Sequence, residues 1–227
     1  FDNLQFNTYW ARTDSTGRHG DDSSYRLQMD YNADRYGLQL ERLMVGSDFN
    51  PEMGFLRRGN MLRNYVQARF SPRPASMPSI RRFRYQGFLN NIQNRQGILE
   101  SREAEGQFQI EFQTGDEFRT AYHDYYEYLA VPFAITPTIS IPSGAYPYRT
   151  AQVGFNIGRQ RRVNTQASLE VGTFYNGRRT TLTLSQSRAS VTNALSIEPN
   201  YSLNRVSLIQ GNFTSHLLGV RTTYTMT

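Results

Sequence analysis

The 227 residues hold only three imidazoles, His19, His123 and His216, and none sits in a spacing that assembles a site. No H-E-x-x-H, G-x-S-x-G, P-loop or G-x-G-x-x-G pattern occurs. His123, Asp124 and Glu127 are close in sequence. On a strand, though, His123 and Asp124 point to opposite faces and cannot share a proton or a metal ion. Glu103 and Glu105 are better placed. Two residues apart on a strand, they share a face at roughly 6.5–7 Å, within the separation of about 5–9.5 Å that paired carboxylates need for glycoside hydrolysis. The same face continues with Gln107, Gln109 and Glu111, which reads more plainly as a wet polar wall. Asp14, Asp21 and Asp22 make an acidic loop whose plain reading is solvated charge rather than a calcium site. With no cysteine, a disulfide scaffold and a thiolate metal site are excluded. No catalytic residue, cofactor or metal ion is expected.

The net charge is +6, and every basic residue is arginine. Guanidinium groups pair bidentately with phosphates and carboxylates, which suits nucleic acid, anionic lipid or lipopolysaccharide. A plain codon preference for arginine explains the same bias. The clusters Arg57-Arg58, Arg81-Arg82-Arg84, Arg159 with Arg161-Arg162, and Arg178-Arg179 fall at strand ends or turns. There they could meet lipid head-group phosphates at a membrane rim, or serve as edge-protecting charge. They are too dispersed for a nucleic-acid face, so no nucleic-acid partner is expected.

The elements that must position these groups are strands. Hydrophobicity alternates with a period of two along almost the whole chain. Tyr25, Leu27, Met29 and Tyr31 alternate with Arg26, Gln28 and Asp30; Ala151, Val153, Phe155 and Ile157 with Gln152, Gly154 and Asn156; Leu169 and Val171 with Ser168 and Glu170. Helical periodicity is nearly absent, and Glu100–Glu105 reads as the start of the strand carrying Phe108, Ile110 and Phe112. Asn32-Ala33-Asp34, Gly115-Asp116, Asn176-Gly177 and Gly211-Asn212 are tight-turn signals. Longer connections are expected at 14–23, 46–60, 72–79 and 132–146. About 12 or 13 strands result, mostly nine or more residues long. Soluble sandwich strands average about five or six residues, whereas a membrane-crossing strand needs about 9–11. The longest apolar run, Leu129 to Ile135, is far short of the roughly 20 residues a transmembrane helix needs. Aromatics gathered near strand ends, Tyr125, Tyr126, Tyr128, Tyr146, Tyr148, Phe174 and Tyr175, suggest an interfacial girdle.

One segment goes beyond pattern: Asp48, Phe49, Asn50, Pro51, Glu52, Met53, Gly54, Phe55, Leu56, Arg57 and Arg58. Pro51 and Gly54 suit a turn, and Asp48 and Glu52 can pair with Arg57 or Arg58. The segment reads either as an ordinary stabilised turn or as a loop folded into a lumen as a gate, anchored by Phe49 and Phe55. Together with Ile141–Tyr146, Gly177–Leu182 and Phe213–Arg221, it resembles a bacterial family of unknown function often labelled membrane-associated hydrolase. In that family an N-terminal carbohydrate-binding, family nine-like β-sandwich precedes a C-terminal outer-membrane β-barrel. The resemblance covers essentially the whole chain and falls within the barrel part. It implies a fragment of a longer barrel protein with a periplasmic N-terminal domain in the parent chain, and no catalytic residue is carried over.

The expectation is therefore all-β: an antiparallel up-and-down meander over residues 1–227 as a single domain, forming part or all of an outer-membrane-type β-barrel. Arg26, Asp30, Glu41, Glu105, Glu111, Glu170 and Arg221 are the candidate lumen-lining residues. Asp48, Phe49, Pro51, Glu52, Phe55, Arg57 and Arg58 form the candidate gating loop. The expected role is a membrane anchor or polar passage in the bacterial outer membrane, with lipid or lipopolysaccharide as its surroundings and glycan-related solutes, oligosaccharides, as its cargo. Two other classes stay open: a barrel-associated hydrolase using lumen carboxylates such as Glu103 and Glu105, and a soluble ligand-binding barrel with its apolar face inward.

Overall fold

A computed structural model describes residues 3–14, 17, 20–56, 58–192 and 194–225. Twelve of the fourteen strands form one antiparallel sheet in which each strand pairs with the next long strand along the chain. These are β1 (Leu4–Arg12), β2 (Ser23–Asn32), β3 (Tyr36–Val45), β4 (Met61–Phe70), β5 (Ile80–Asn94), β6 (Leu99–Phe112), β7 (Glu117–Leu129), β10 (Gly144–Asn156), β11 (Val163–Phe174), β12 (Gly177–Ser190), β13 (Leu195–Leu208) and β14 (Gly211–Tyr224). The short strands β8 (Phe133–Thr136) and β9 (Ile139–Ile141) pair only with each other and form a hairpin inside the connection from β7 to β10. From β5 onward the long strands run 12 to 15 residues. Among the described residues β1 pairs only with β2 and β14 only with β13, so the sheet keeps two open edges rather than closing into a ring.

The meander has two distinct ends. Connections 13–22, 46–60, 95–98, 130–143, 175–176 and 209–210 lie at one end, called the upper end below. Connections 33–35, 71–79, 113–116, 157–162 and 191–194 lie at the lower end, as do the start of β1 and the finish of β14. The three longest connections are thus all at the upper end. Two of the tight turns fall earlier than the Gly-containing pairs suggest, one by one residue and the other by two. Phe174 pairs with Gly177 and Leu208 with Gly211, so the central residues are Tyr175-Asn176 and Ile209-Gln210. Close approach of β13 sets the place of Gly177. A Cβ there would lie 1.9 Å from the carbonyl oxygen of Ser207, so the glycine belongs in the ladder, and Tyr175 takes the left-handed backbone (φ 49°) that the turn requires.

Register assigns every strand residue to a face. Leu27, Leu40, Val66, Leu89 and Ala104 share one face, and the same face carries Val153, Phe155, Leu169 and Val171 on β10 and β11. The other face carries Arg26, Glu41, Arg63, Glu105, Gln152 and Glu170. The apolar face is the more exposed one. Val153 is 43% exposed, Phe155 43%, Leu169 40% and Val171 44%, whereas Gln152 and Glu170 are half-buried. A sheet whose charged side chains are more sheltered than its apolar ones curls with the charged face on the concave side.

Among the described residues, eight apolar side chains are buried, whereas thirty-two large apolar side chains are exposed, so no dry interior of ordinary size exists. The one compact apolar cluster joins Ile139 and Ile141 of the β8–β9 hairpin to Val206 and Leu208 of β13, with Tyr146, Phe174, Tyr175 and Phe213 around it. The hairpin therefore folds over the upper end of the charged face. This corrects the expected girdle: Tyr125, Tyr146, Tyr148 and Phe174 share the charged face, where Tyr146 and Phe174 border this cluster, and only Tyr126 and Tyr128 point to the apolar side. A different aromatic ladder occupies the lower part of the apolar face. Tyr36, Phe70, Tyr85, Phe108 and Phe83 stack in succession across β3 to β6, with centroids 5.0 to 6.2 Å apart.

Candidate functional site: the charged face and its upper loops

Strand alternation plus antiparallel register brings Arg26, Asp30, Glu41, Glu105, Glu111, Glu170 and Arg221 to one face. They do not meet at a single point. Instead each except Asp30 joins a cross-strand pair, as expected where charges lose part of their water and must find partners. Glu41, whose side chain is only 4% exposed, accepts from Arg26 Nε at 2.9 Å and from Arg63 Nη1 at 3.0 Å. Glu111 is held by Arg82 at 2.6 Å and Arg81 at 3.0 Å. Glu105 faces Arg119 at 3.6 Å and His123 Nδ1 at 3.4 Å. Glu170 pairs with Arg179, and Arg221 reaches Glu198 only at 4.0 Å. Asp30 accepts a hydrogen bond from the Gln28 amide.

Sequence reasoning missed several members of this face. Arg63, Arg119 and Arg179 are counter-ions that only the register reveals. His123 is buried on the charged face, stacked on Tyr125 with centroids 5.5 Å apart, and Tyr125 stacks in turn on Tyr148 at 4.9 Å. Asp124 lies on the opposite face, clasped between Arg102 and Arg149 at 2.8 Å each. Parity of the alternation was the available signal for the face each of these takes, though not for its partner.

Glu103 and Glu105 do share the charged face, opposite Tyr125 and His123. Two of the three acidic loop residues turn to arginines: Asp22 to Arg12 at 2.9 Å and Asp21 to Arg95 at 2.8 Å. Asp21 is also held below the usual carboxylate range, chiefly by the hydroxyl of Ser23. No group of three or more His, Asp or Glu side chains that could hold a metal ion occurs among the described residues.

The 46–60 connection folds across the upper end of the charged face. Phe49, Pro51, Gly54, Phe55, Leu56 and Arg58 wall one side of an 870 Å³ cavity, whose other side is charged-face strand residues including Tyr9, Ser24, Arg63 and Asn90. Gly54 N donates to the carbonyl of Pro51 at 2.8 Å, so the expected turn forms, with Glu52 in left-handed backbone. The Asp48 amide donates to the carbonyl of Asp21, and the Asn50 amide donates to the hydroxyl of Thr13 at 3.0 Å, which ties this loop to the 13–22 loop. Arg58 pairs with Glu100 at the start of β6 rather than with Asp48 or Glu52. Phe55 is 89% exposed and is not the anchor expected of it. Arg57, the remaining member of the candidate gate, lies outside the described residues, as does His19.

No model of a protein family matches the chain, and no curated protein or solved structure matches it.

Proposed function

We propose that the chain is a section of an outer-membrane β-barrel, with its apolar face against acyl chains and its charged face lining a polar passage. The observation that carries this reading is sidedness: Val153, Phe155, Leu169 and Val171 are on the exposed face, while Glu41, Glu105 and Glu170 are sheltered in ion pairs on the other. A protein in water that turned this much apolar surface outward would lose stabilisation of about 25 cal/mol for each Å² left wet. In hydrocarbon the same face is at home, and strands of 12 to 15 residues are long enough to cross with tilt. No helix among the described residues is long and apolar enough to cross a membrane, so strands would have to do so.

The passage reading gives the upper loops a role. The 46–60 loop and the β8–β9 hairpin narrow one end of the concave face, and solutes diffuse or bind along the paired arginines and carboxylates without covalent chemistry. Extension to glycan-related solutes follows from the resemblance stated above.

The test is extraction and paired substitution. The full chain is expected to leave membranes only in detergent and to change its gel mobility on heating. Leu169→Arg is expected to cost about 2–4 kcal/mol of assembly, as charge on a lipid-facing position does, while Gln152→Arg, across the sheet on the charged face, is tolerated. A chain that stays in the supernatant after ultracentrifugation without detergent, with Leu169→Arg harmless, overturns the proposal in favour of a soluble barrel.

A further inference from the structure

Charge on the apolar face is confined to a belt. From the register row of Gly106, Tyr122 and Ala151 down to the lower end, the strand residues assigned to this face include no Asp or Glu, and Arg205 is the single arginine on that row. From Ala104 to Phe112 the uncharged stretch runs roughly 26 Å along the strand at about 3.3 Å per residue. Six arginines then appear near the upper end: Arg12, Arg42, Arg102, Arg149, Arg178 and Arg205. Each lies within five residues of the upper end of its own strand. Arg42 lies three before Val45, Arg102 three after Leu99 and Arg205 three before Leu208. Cross-strand partners continue the polar row, since Arg42 pairs in register with Asn64, Asn64 with Asn91, and Asn91 with Arg102.

The belt carries more positive charge than the protein neutralises. Arg12 has Asp22, and Arg102 and Arg149 share Asp124. Arg42 has only the uncharged oxygens of Tyr25 and Asn64, at 3.2 and 3.4 Å. Arg178 and Arg205 are exposed, and no carboxylate of the described residues lies in ion-pair contact with either. Guanidinium groups suit phosphate because their paired donors match its oxygens. A row of them directly above an uncharged apolar band is complementary to an amphiphile whose acyl chains cover the band and whose phosphates reach the row.

We propose that this belt binds the phosphate-bearing head groups of an anionic lipid in the leaflet at the upper end, and thereby fixes both depth and orientation of the sheet. The upper end, which carries the longest connections, then faces outward. This rests on the membrane reading above.

The test uses the full chain in maltoside micelles, titrated with bisphosphorylated lipid A, with a neutral galactolipid and with inorganic phosphate, and read by native mass spectrometry. Lipid A is expected to be retained and the galactolipid not. The double variant Arg149→Gln/Arg178→Gln is expected to weaken retention roughly tenfold or more, since each arginine near an anionic surface contributes about a fivefold effect. Arg73→Gln/Arg159→Gln, of equal charge change but at the lower end, should match the unsubstituted chain. Equal retention of all lipids, or of both double variants, overturns the belt alone. Binding of inorganic phosphate with the same dependence on Arg149 and Arg178 overturns the lipid as ligand. The same chain is also offered galactolipid-only and lipid A-containing vesicles. Failure to insert into either overturns the membrane reading, and the belt falls with it.

Discussion

The side chain that orders the charged face most tightly is Glu41. It lies between Arg26 and Arg63, and its own side chain is nearly fully buried. Removing it strands two guanidinium groups that are each about one-third exposed, 32% in both cases. Glu41→Ala is expected to cost about 3 kcal/mol, at the low end for breaking a buried pair because both arginines keep some water. Asp30→Asn, which retains an acceptor for the Gln28 amide, should fall within about 0.5 kcal/mol of the unsubstituted chain. Chemical unfolding of the two variants side by side measures the difference, and equal midpoints would show that Glu41 is paired without consequence. At this scale the sequence was informative about which residues share a face and silent about who pairs with whom. Glu41 and Arg63 are 22 residues apart, and alternation says nothing about partners across strands.

At the scale of elements, two devices hold the meander's ends. At the lower end Asp116 clasps the 113–116 turn to the 157–162 connection: Oδ1 accepts from the Gly158 amide at 2.9 Å, and Oδ2 accepts from Thr114 Oγ1 at 2.9 Å and pairs with Arg161 at 2.5 Å. The Gly158 amide, above all, holds its carboxyl below the ordinary 3.8. A depressed carboxylate stabilises fully above its ordinary value and stops stabilising as pH falls through the lowered one. Protection of the Gly158 amide from hydrogen exchange is therefore expected to be constant down to about pH 4 and to fall below it. Asp116→Asn should remove that dependence, and an unchanged profile in the variant would show that another group is titrating.

The second device is the β8–β9 hairpin at the upper end. Ile141 is fully buried against the charged face, and Ile141→Ala is expected to cost about 2–5 kcal/mol of local stability, as truncation of a buried isoleucine does. Proteolysis within 130–143 should speed up correspondingly, while cleavage at 71–79 should not; parallel cleavage at both sites would mean that the hairpin does not fold as a separate unit. From the sequence, 134–141 falls inside the long connection 132–146. Its dipeptide-scale apolar pattern fits a ladder strand or a self-paired hairpin equally well, and only packing against Val206 and Leu208 distinguishes them.

At the scale of the whole molecule the open edges matter most. β1 and β14 present unpaired backbone groups over 9 and 14 residues, and both strands are exposed along most of their length. Such edges recruit further strands. In detergent the chain as it stands is expected to sediment as a dimer or larger species, and a monodisperse monomer would show that the edges are satisfied within one copy.

Alternation by itself determined that this protein is a succession of long two-faced strands, because a period of two is written locally and survives any arrangement of neighbours. It also placed all seven candidate lumen residues on one face. Three things were decided only by tertiary structure: which face is concave, where the ion pairs close, and that a hairpin and a loop fold over the upper end. Those depend on register and curvature, which are set by contacts between residues far apart in the chain. The arginine belt belongs to both. Its members are visible singly as charges on an otherwise apolar alternation, but they form a row only when the register of the long strands is summed across the sheet.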